Sequence, residues 1–245
     1  MKVGYRSNII TCCTILDNGK ILFSAYNGGQ YTYRVSLNDS NGNFISTVEA
    51  LTPFEGSFYD ITIIDTNTIA VSVCACISIV YIDTQNVLHE IENDYDCGGI
   101  THCNGKLYYC SSTEGIRWFD LRTQSNQLLV PTFIGRFSYI FCGGNKLLYT
   151  SYTGTVTCSD MTGKQIWRFE DTSPLRKPRG IVVSNQSFVF VAGEKSGNIV
   201  VISPDWNSSK DVYHISSPRA MCYDNSNNKT FVCHSENNAF WFQIK

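Results

Sequence analysis

Two Pro-Arg pairs stand about forty residues apart in the sequence, at Pro178-Arg179 and Pro218-Arg219. A guanidinium presents its N–H donors in a planar fork and binds carboxylates and phosphates through paired hydrogen bonds. Each preceding proline fixes one backbone dihedral, which reduces the entropy that binding costs. If the two arginines occupy equivalent positions of neighbouring structural units, we expect both to contact one anionic target. As surface residues they should be replaceable by alanine together without loss of folding.

Other reactive side chains do not form a catalytic pattern. Cys233 and His234 are neighbours in a strand-like run, so their side chains point to opposite faces and cannot act as nucleophile and base. The cysteines are not spaced as the paired Cys-x-x-Cys groups of zinc modules. We therefore expect no catalytic residue, no metal site and no cofactor.

The elements that position these residues follow from an internal repeat. A short apolar run recurs about every forty residues. In the first five copies a strand and a polar turn precede the run and two further strands follow it. The runs lie at residues 20–24, 68–72, 106–110, 146–150, 187–191 and 229–233. A period near forty residues without a helical pattern predicts propeller blades. The chain is therefore predicted to be all-β, a six-bladed β-propeller with four antiparallel strands in each blade.

We predict a single domain whose last blade is closed by the amino-terminal strand. The blades are expected at residues 9–50, 58–93, 97–133, 137–171, 177–215 and 217–245. The sixth unit contains only three strand patterns, and an open sheet edge leaves backbone groups unpaired. We therefore expect residues 2–7 to pair antiparallel with residues 240–244 as the outer strand of that blade.

The repeat also predicts which residues share a face with the two arginines. In a propeller, the connections that enter the first strand of each blade emerge on the same face as those between second and third strands. The candidate partner-binding residues on this face are Tyr26, Tyr59, Arg136, Tyr152, Lys177, Arg179 and Arg219. All the cations among them come from units four to six, so we expect the ligand surface to be displaced toward those blades.

Composition limits the classes of partner and the compartment. Positive and negative side chains nearly balance, with a net charge of −2, which argues against bulk electrostatic binding of nucleic acid. The sequence has no signal-peptide pattern and no apolar stretch long enough to span a membrane. The eleven cysteines favour reduced, buried thiols over a disulfide framework. We expect a monomeric cytoplasmic protein that binds neither DNA nor membranes.

Several short motifs resemble the repeats of NHL-type six-bladed propellers. They are PRGIVV at 178–183, PRAMCY at 218–223, SGNIVVI at 196–202 and DNGKIL at 17–22. The whole chain is similar to the carboxy-terminal propellers of invertebrate tripartite-motif proteins and their B-box relatives. Units two to four lack the Pro-Arg-Gly opening, so the resemblance concerns the fold more than a particular ligand.

The resemblance implies a recognition module, which in that family binds a protein partner or RNA. Ubiquitin transfer there requires a RING domain that this sequence lacks. We favour a protein partner and keep an RNA-binding propeller as the alternative. A metal-dependent lactonase-like hydrolase is less favoured, since it needs several carboxylates at the funnel and the aligned rim positions offer only Asp60. We expect Asp60 to accept hydrogen bonds from backbone amides instead.

Overall fold

A computed structural model describes residues 8–27, 32–48, 58–93, 96–171, 173–234 and 239–243. These residues form strands and turns, and no helix occurs among them. The described part of the chain therefore has no helix that could cross a membrane. Residues 2–7, which we predict to close the last blade, lie outside the described residues.

The strands form six antiparallel sheets that follow one another along the chain, each in consecutive strand order. Blades 1 to 3 contain β1 (Asn8–Ile15), β2 (Ile21–Asn27), β3 (Thr32–Asn38) and β4 (Phe44–Thr47); β5 (Phe58–Ile63), β6 (Thr68–Val73), β7 (Cys76–Tyr81) and β8 (Asn86–Glu92); and β9 (Cys97–Cys103), β10 (Lys106–Ser111), β11 (Gly115–Asp120) and β12 (Asn126–Pro131). Blades 4 to 6 contain β13 (Ile140–Gly143), β14 (Lys146–Thr150), β15 (Val156–Asp160) and β16 (Gln165–Phe169); β17 (Pro178–Val183), β18 (Val189–Gly193), β19 (Asn198–Ile202) and β20 (Ser209–His214); and β21 (Pro218–Asp224), β22 (Lys229–His234) and β23 (Ala239–Gln243).

The first strands of the six sheets surround a common axis. Each first strand contacts the first strand of the next sheet, and β21 of the last sheet contacts β1 of the first. The chain is therefore an all-β propeller with six blades of three or four antiparallel strands, as predicted from the repeat.

The hydrophobic core is divided among the junctions between blades. Each of six buried clusters is built from two neighbouring blades, and one of them joins blade 6 to blade 1 through Phe23 and Phe231. Because a blade packs against a neighbour on both faces, its inner strands are buried on both sides, and all six residues of β6 are buried. The outer strand β8 is mostly exposed. This explains why apolar and polar residues do not alternate cleanly along the inner strands.

One predicted strand lies two residues from its observed position. The repeat placed the second strand of blade 5 at residues 187–191, but β18 begins at Val189. Ser184 and Ser187 form a turn in which the Ser187 amide donates to the Ser184 carbonyl at 2.9 Å, and Ser187 has a φ of +64°. The apolar Phe188 follows this turn directly and made the run look longer than the strand is.

Candidate functional site

Bulges at the start of the first strands position the two arginines. The register of β17 against β18 shifts between Pro178 and Ile181, and that of β21 against β22 shifts between Pro218 and Ala220. A bulge bends a strand and re-aims the side chain at the irregularity. Arg179 and Arg219 are the residues at these two bulges.

Gly180 allows the two bulged strands to approach each other. A Cβ atom at Gly180 would lie 2.7 Å from the carbonyl oxygen of Arg219, which is closer than real side chains approach backbone atoms. The absence of a side chain therefore brings the start of β17 against the start of β21. This contact places the two arginines side by side, as the repeat predicted.

Both arginines bind Glu194, which directly follows β18. Arg179 uses Nε and Nη2, each 2.8 Å from Oε2 of Glu194, and Nη2 of Arg219 lies 2.6 Å from Oε1. Lys177 completes the group, with its Nζ 3.4 Å from Oε2. We call Lys177, Arg179, Glu194 and Arg219 the Glu194 cluster. Three cations surround one carboxylate in it, so the cluster keeps a surplus of positive charge.

The charge state of Glu194 follows from these contacts. Burial of the carboxyl opposes ionisation, but the neighbouring Arg179 and Arg219 guanidiniums outweigh burial and lower the pKa of Glu194 below its usual value. Glu194 is therefore negatively charged at neutral pH, and its contact with Nε of Arg179 is a charge-assisted hydrogen bond.

Arg179 and Arg219 differ in exposure. The Arg179 side chain is only 7% exposed, and its guanidinium stacks on the Phe137 ring at 4.3 Å. The Arg219 side chain is 26% exposed. The expectation that Arg179 is a surface residue is therefore wrong, because Glu194 and Phe137 enclose it. Its loss would leave Glu194 short of a partner in a buried site, so the double alanine change is no longer expected to leave folding intact.

Aromatic rings extend the cluster across the face. Tyr152 is 49% exposed, with the Lys177 ammonium 5.6 Å from its ring centre and the Phe137 ring at 6.4 Å. The Arg136 guanidinium lies 5.9 Å from the Phe137 ring centre and pairs with Asp96 at 3.1 Å. Contacts of this kind between cations and aromatic rings hold both groups in place.

The seven predicted site residues are therefore only partly brought together. Lys177, Arg179 and Arg219 share Glu194, and Tyr152 and Arg136 join them through the contacts above. Tyr26 lies in β2 of blade 1, where its ring stacks on Tyr33 at 4.5 Å. The side chain of Tyr59 lies outside the described part of the structure.

Glu194, Phe137 and Asp96 were not among the predicted site residues. Glu194 falls in a predicted loop between a second and a third strand on the same face, and it is a lone acid among several cations there. That contrast was the available signal. Phe137 lies between Arg136 and the first strand of blade 4 in the sequence. Nothing in this context distinguishes it from a core residue.

The central channel lies inside the ring of first strands. Its cavity has a volume of about 240 Å³ and is lined by residues from the first strands of all six blades. The Tyr139 hydroxyl of blade 4 donates to the Thr11 carbonyl of blade 1 at 2.6 Å. Since these two blades stand opposite each other in a ring of six, this hydrogen bond crosses the channel.

Asp60 is the carboxylate that lines this cavity, and it bonds backbone amides as expected. Its Oδ1 accepts from the amide of Ile61 and its Oδ2 from the amide of Ile100 in blade 3, both at 3.0 Å. Burial raises the pKa of Asp60 to about 6, although hydrogen bonds from Cys12 and the two amides oppose the rise. Asp60 thus links blade 2 to blade 3. Among the described residues, no group of three or more His, Cys, Asp or Glu side chains is arranged to hold a metal ion.

Comparisons with known proteins concern the fold. No protein-family model matches the sequence, and no curated protein is significantly similar to it. A protein of unknown function from Bacteroides thetaiotaomicron is 14% identical, with a TM-score of 0.74 over 97% of this chain and 70% of that one. An auxiliary nutrient binding protein from the same organism is 13% identical, with a TM-score of 0.75 over 96% and 70%. Virginiamycin B lyase from Staphylococcus aureus is 15% identical, with a TM-score of 0.69 over 100% and 87%. These likenesses support a six-bladed propeller, a fold that serves binding proteins and enzymes alike.

Proposed function

We propose that this propeller is a non-catalytic recognition module that binds an acidic segment of a protein partner. The binding surface in this proposal is the face that carries the Glu194 cluster, Arg136 and Tyr152. The observation that carries the proposal is the surplus of cations around Glu194 at the mouth of the propeller, since a propeller presents this face as one rigid platform.

Charge complementarity supports an acidic partner. Lys177 and Arg219 are 33% and 26% exposed and share a single carboxylate with Arg179, which leaves hydrogen-bond donors directed at incoming acids. Arg136 adds a further cation, which is half exposed and paired with Asp96. A partner with acidic side chains would be attracted to this face. Because salt screens the charges at longer distances, the attraction acts close to the patch and favours docking at this position.

Exposed aromatic rings beside the cations support a protein surface. Tyr152 is half exposed, and Phe133 is 65% exposed in the connection that enters blade 4. The Tyr152 amide donates to the Ile134 carbonyl at 2.9 Å, which places Phe133 and Tyr152 in neighbouring stretches of chain. Aromatic and arginine side chains are the residue types that contribute most to protein interfaces.

RNA is the second candidate ligand, because phosphates also suit exposed arginines and bases stack on aromatic rings. The net charge of −2 and the acids Glu194 and Asp96 within the patch favour the protein partner. We further propose that the module is of the NHL type found in tripartite-motif proteins and works in the cytoplasm. The Pro-Arg openings of blades 5 and 6 support this assignment.

The test is selection of peptides displayed on phage against the immobilised protein. We expect enrichment of sequences that combine Asp or Glu with an aromatic or aliphatic residue. A Lys177→Ala, Arg219→Ala double variant should bind the selected peptides roughly tenfold more weakly, because two charge-assisted hydrogen bonds are lost.

A Lys164→Ala, Lys210→Ala double variant is the matched control, since both lysines are exposed and lie in the turn and outer strand regions of blades 4 and 5. It removes the same charge and should bind normally. Selection of no acidic peptide would contradict the proposal. A pool of structured RNAs that binds at low salt, and loses affinity in the Lys177, Arg219 variant alone, would identify RNA as the ligand instead.

A further inference from the structure

The Glu194 cluster divides its three cations into one that is fully engaged and two that are not. Arg179 places Nε and Nη2 on Glu194, directs Nη1 at the Phe137 carbonyl at 3.4 Å and is stacked on the Phe137 ring. Because its side chain is also only 7% exposed, Arg179 is not accessible to a partner. Its role is to hold the Glu194 carboxylate in place.

Arg219 makes a single contact with the same carboxylate. Its Nη2 lies 2.6 Å from Oε1 of Glu194, whereas its Nε is buried and has no hydrogen-bond partner. A buried N–H without an acceptor is costly and is usually satisfied by a ligand, a water or an ion. An incoming carboxylate reaches the exposed part of the Arg219 guanidinium, and the buried Nε lies directly beside that contact.

Lys177 stands on the other side of Glu194, with its ammonium 3.4 Å from Oε2 and a third of its side chain exposed. It has a φ of +57°, a backbone conformation that non-glycine residues seldom adopt without a structural or functional reason. The turn therefore holds the ammonium beside the cluster. Within the Glu194 cluster, Lys177 and Arg219 are the two cations that solvent and a partner can reach.

We propose that Lys177 and Arg219 form a carboxylate-binding subsite for an acidic side chain of the partner, and that Glu194 competes with this ligand for both cations. The proposal rests on the function proposed above and adds the atoms that recognise the acid. Glu194 occupies the subsite in the free protein and keeps Arg219 in position. The partner's carboxylate then binds close to the negative charge of Glu194. Repulsion between the two carboxylates keeps the affinity below the maximum that the cations allow.

This arrangement predicts a gain of affinity from the loss of an acid. In Glu194→Gln the amide oxygen still accepts from Arg179, but the neutral side chain no longer competes for Arg219 or Lys177. The probe is a labelled Glu-rich peptide that contains one Phe and is blocked at both ends. We expect this variant to bind the peptide at least fivefold more tightly than the wild-type protein does. Fluorescence anisotropy at fixed ionic strength measures the change.

Glu170→Gln is the matched control, because Glu170 is an exposed acid paired with Arg168 after β16 and its loss changes the net charge equally. It should leave peptide affinity unchanged. Arg219→Gln should weaken binding about threefold, since one of the two charge-assisted contacts is lost, and combining it with Glu194→Gln should cancel the gain. A peptide with a free carboxy terminus distinguishes capture of a chain terminus from capture of a side chain, and we expect no additional affinity from it.

A second measurement does not depend on the folding of the Glu194 variant. In wild-type protein, the side-chain ¹⁵Nε–H signal of Arg219 should shift when the blocked peptide is added, and that of Arg179 should not. Two results would overturn the subsite and leave the proposed function intact. In one, the wild-type protein binds the peptide but Glu194→Gln binds it more weakly; in the other, the wild-type protein binds the peptide but the Arg219 signal does not move. Absence of peptide binding by wild-type protein and every variant would contradict the proposed function itself.

Discussion

Arg179 and Arg219 show how equivalent positions in neighbouring blades acquire different roles. Each follows a proline and stands at a bulge, so the sequence repeat places them alike. Glu194 lies next to blade 5's own first strand, and Phe137 reaches Arg179 from blade 4. Arg179 is therefore enclosed by two blades, whereas Arg219 contacts the cluster from one side. Burial at this scale is decided by neighbours that are distant in sequence.

Asp60 leads to a prediction about pH. Its pKa is raised to about 6 in the folded protein, compared with 3.8 for an ordinary aspartate. The folded state therefore binds a proton more readily than the unfolded state between these values. The stabilising contribution of this group is fully present below about pH 4 and is lost as the pH rises through 6. Relative to Asp60→Asn, the wild-type protein should lose about 1 kcal/mol of unfolding free energy between pH 5 and pH 7.

Urea unfolding of both proteins at the two pH values measures this difference. Asp83→Asn is the control, because Asp83 is an exposed carboxylate of the same blade. The absolute stability of Asp60→Asn is not the readout, since its amide cannot accept from both backbone N–H groups as the carboxylate does. An equal gap between wild type and Asp60→Asn at pH 5 and pH 7 would show that Asp60 titrates normally.

The residue scale also marks the limit of sequence reasoning about the site. The position of Arg179 beside Arg219 followed from the repeat, and the bonding of Asp60 to backbone amides followed from its being a lone acid among the aligned rim residues. The capture of Arg179 by Glu194 did not, because it depends on which loop side chain reaches the bulge. Phe137 gave no signal, since an aromatic residue next to a strand is usually part of the core.

At the scale of elements, blade 6 differs from the others. The described part of the chain supplies it with three strands, and its last strand, β23, is Ala-Phe-Trp-Phe-Gln without a charged residue. Phe240 and Trp241 of this strand are exposed among the described residues. Edge strands of native proteins are usually protected by charges, prolines or a covering segment. Such an edge calls for a partner strand.

We predict that residues 2–7 provide this strand. Deletion of residues 1–7 should remove its backbone hydrogen bonds and uncover the aromatic side chains, which lowers the melting temperature by roughly 5 °C or more or causes aggregation. Differential scanning calorimetry and light scattering measure these effects. Removal of Lys245 alone is the control, because it lies beyond the predicted pairing at residues 240–244. A truncated protein that melts and scatters like the full chain would refute this closure.

The elements themselves were predictable because each strand pattern recurs in several units of the repeat. Few folds combine a forty-residue period with alternating strands and turns, and six copies determine the number of blades. Boundaries were less certain where an apolar residue belongs to a turn, as Phe188 does before β18. The pattern of apolar residues indicates which side chains are buried, but it does not indicate which backbone hydrogen bonds form.

At the scale of the whole molecule, stability is shared among six junctions between blades. No junction is complete without both of its blades, and the ring is held by contact between β21 and β1. Cysteines contribute to several of these junctions, with Cys12, Cys97, Cys110 and Cys158 each in a different one. Their thiols therefore report on whether the ring is intact.

We predict that the native protein hides most of its thiols from a water-soluble reagent. All eleven cysteines are in the reduced form in the structure; seven are buried and four, including Cys74, are partly exposed. Burial also raises the pKa of Cys97 to about 12 and that of Cys158 to about 11, so little reactive thiolate forms there. At pH 8 the partly exposed thiols should react first, and denaturation should release the rest. Cys74→Ser should lower the number of fast-reacting thiols by one, whereas Cys158→Ser should leave that number unchanged.

Disulfides in the purified protein would contradict this prediction. They would be detected as missing thiols after denaturation without reductant, would show that the junctions are cross-linked and would argue against a reducing compartment.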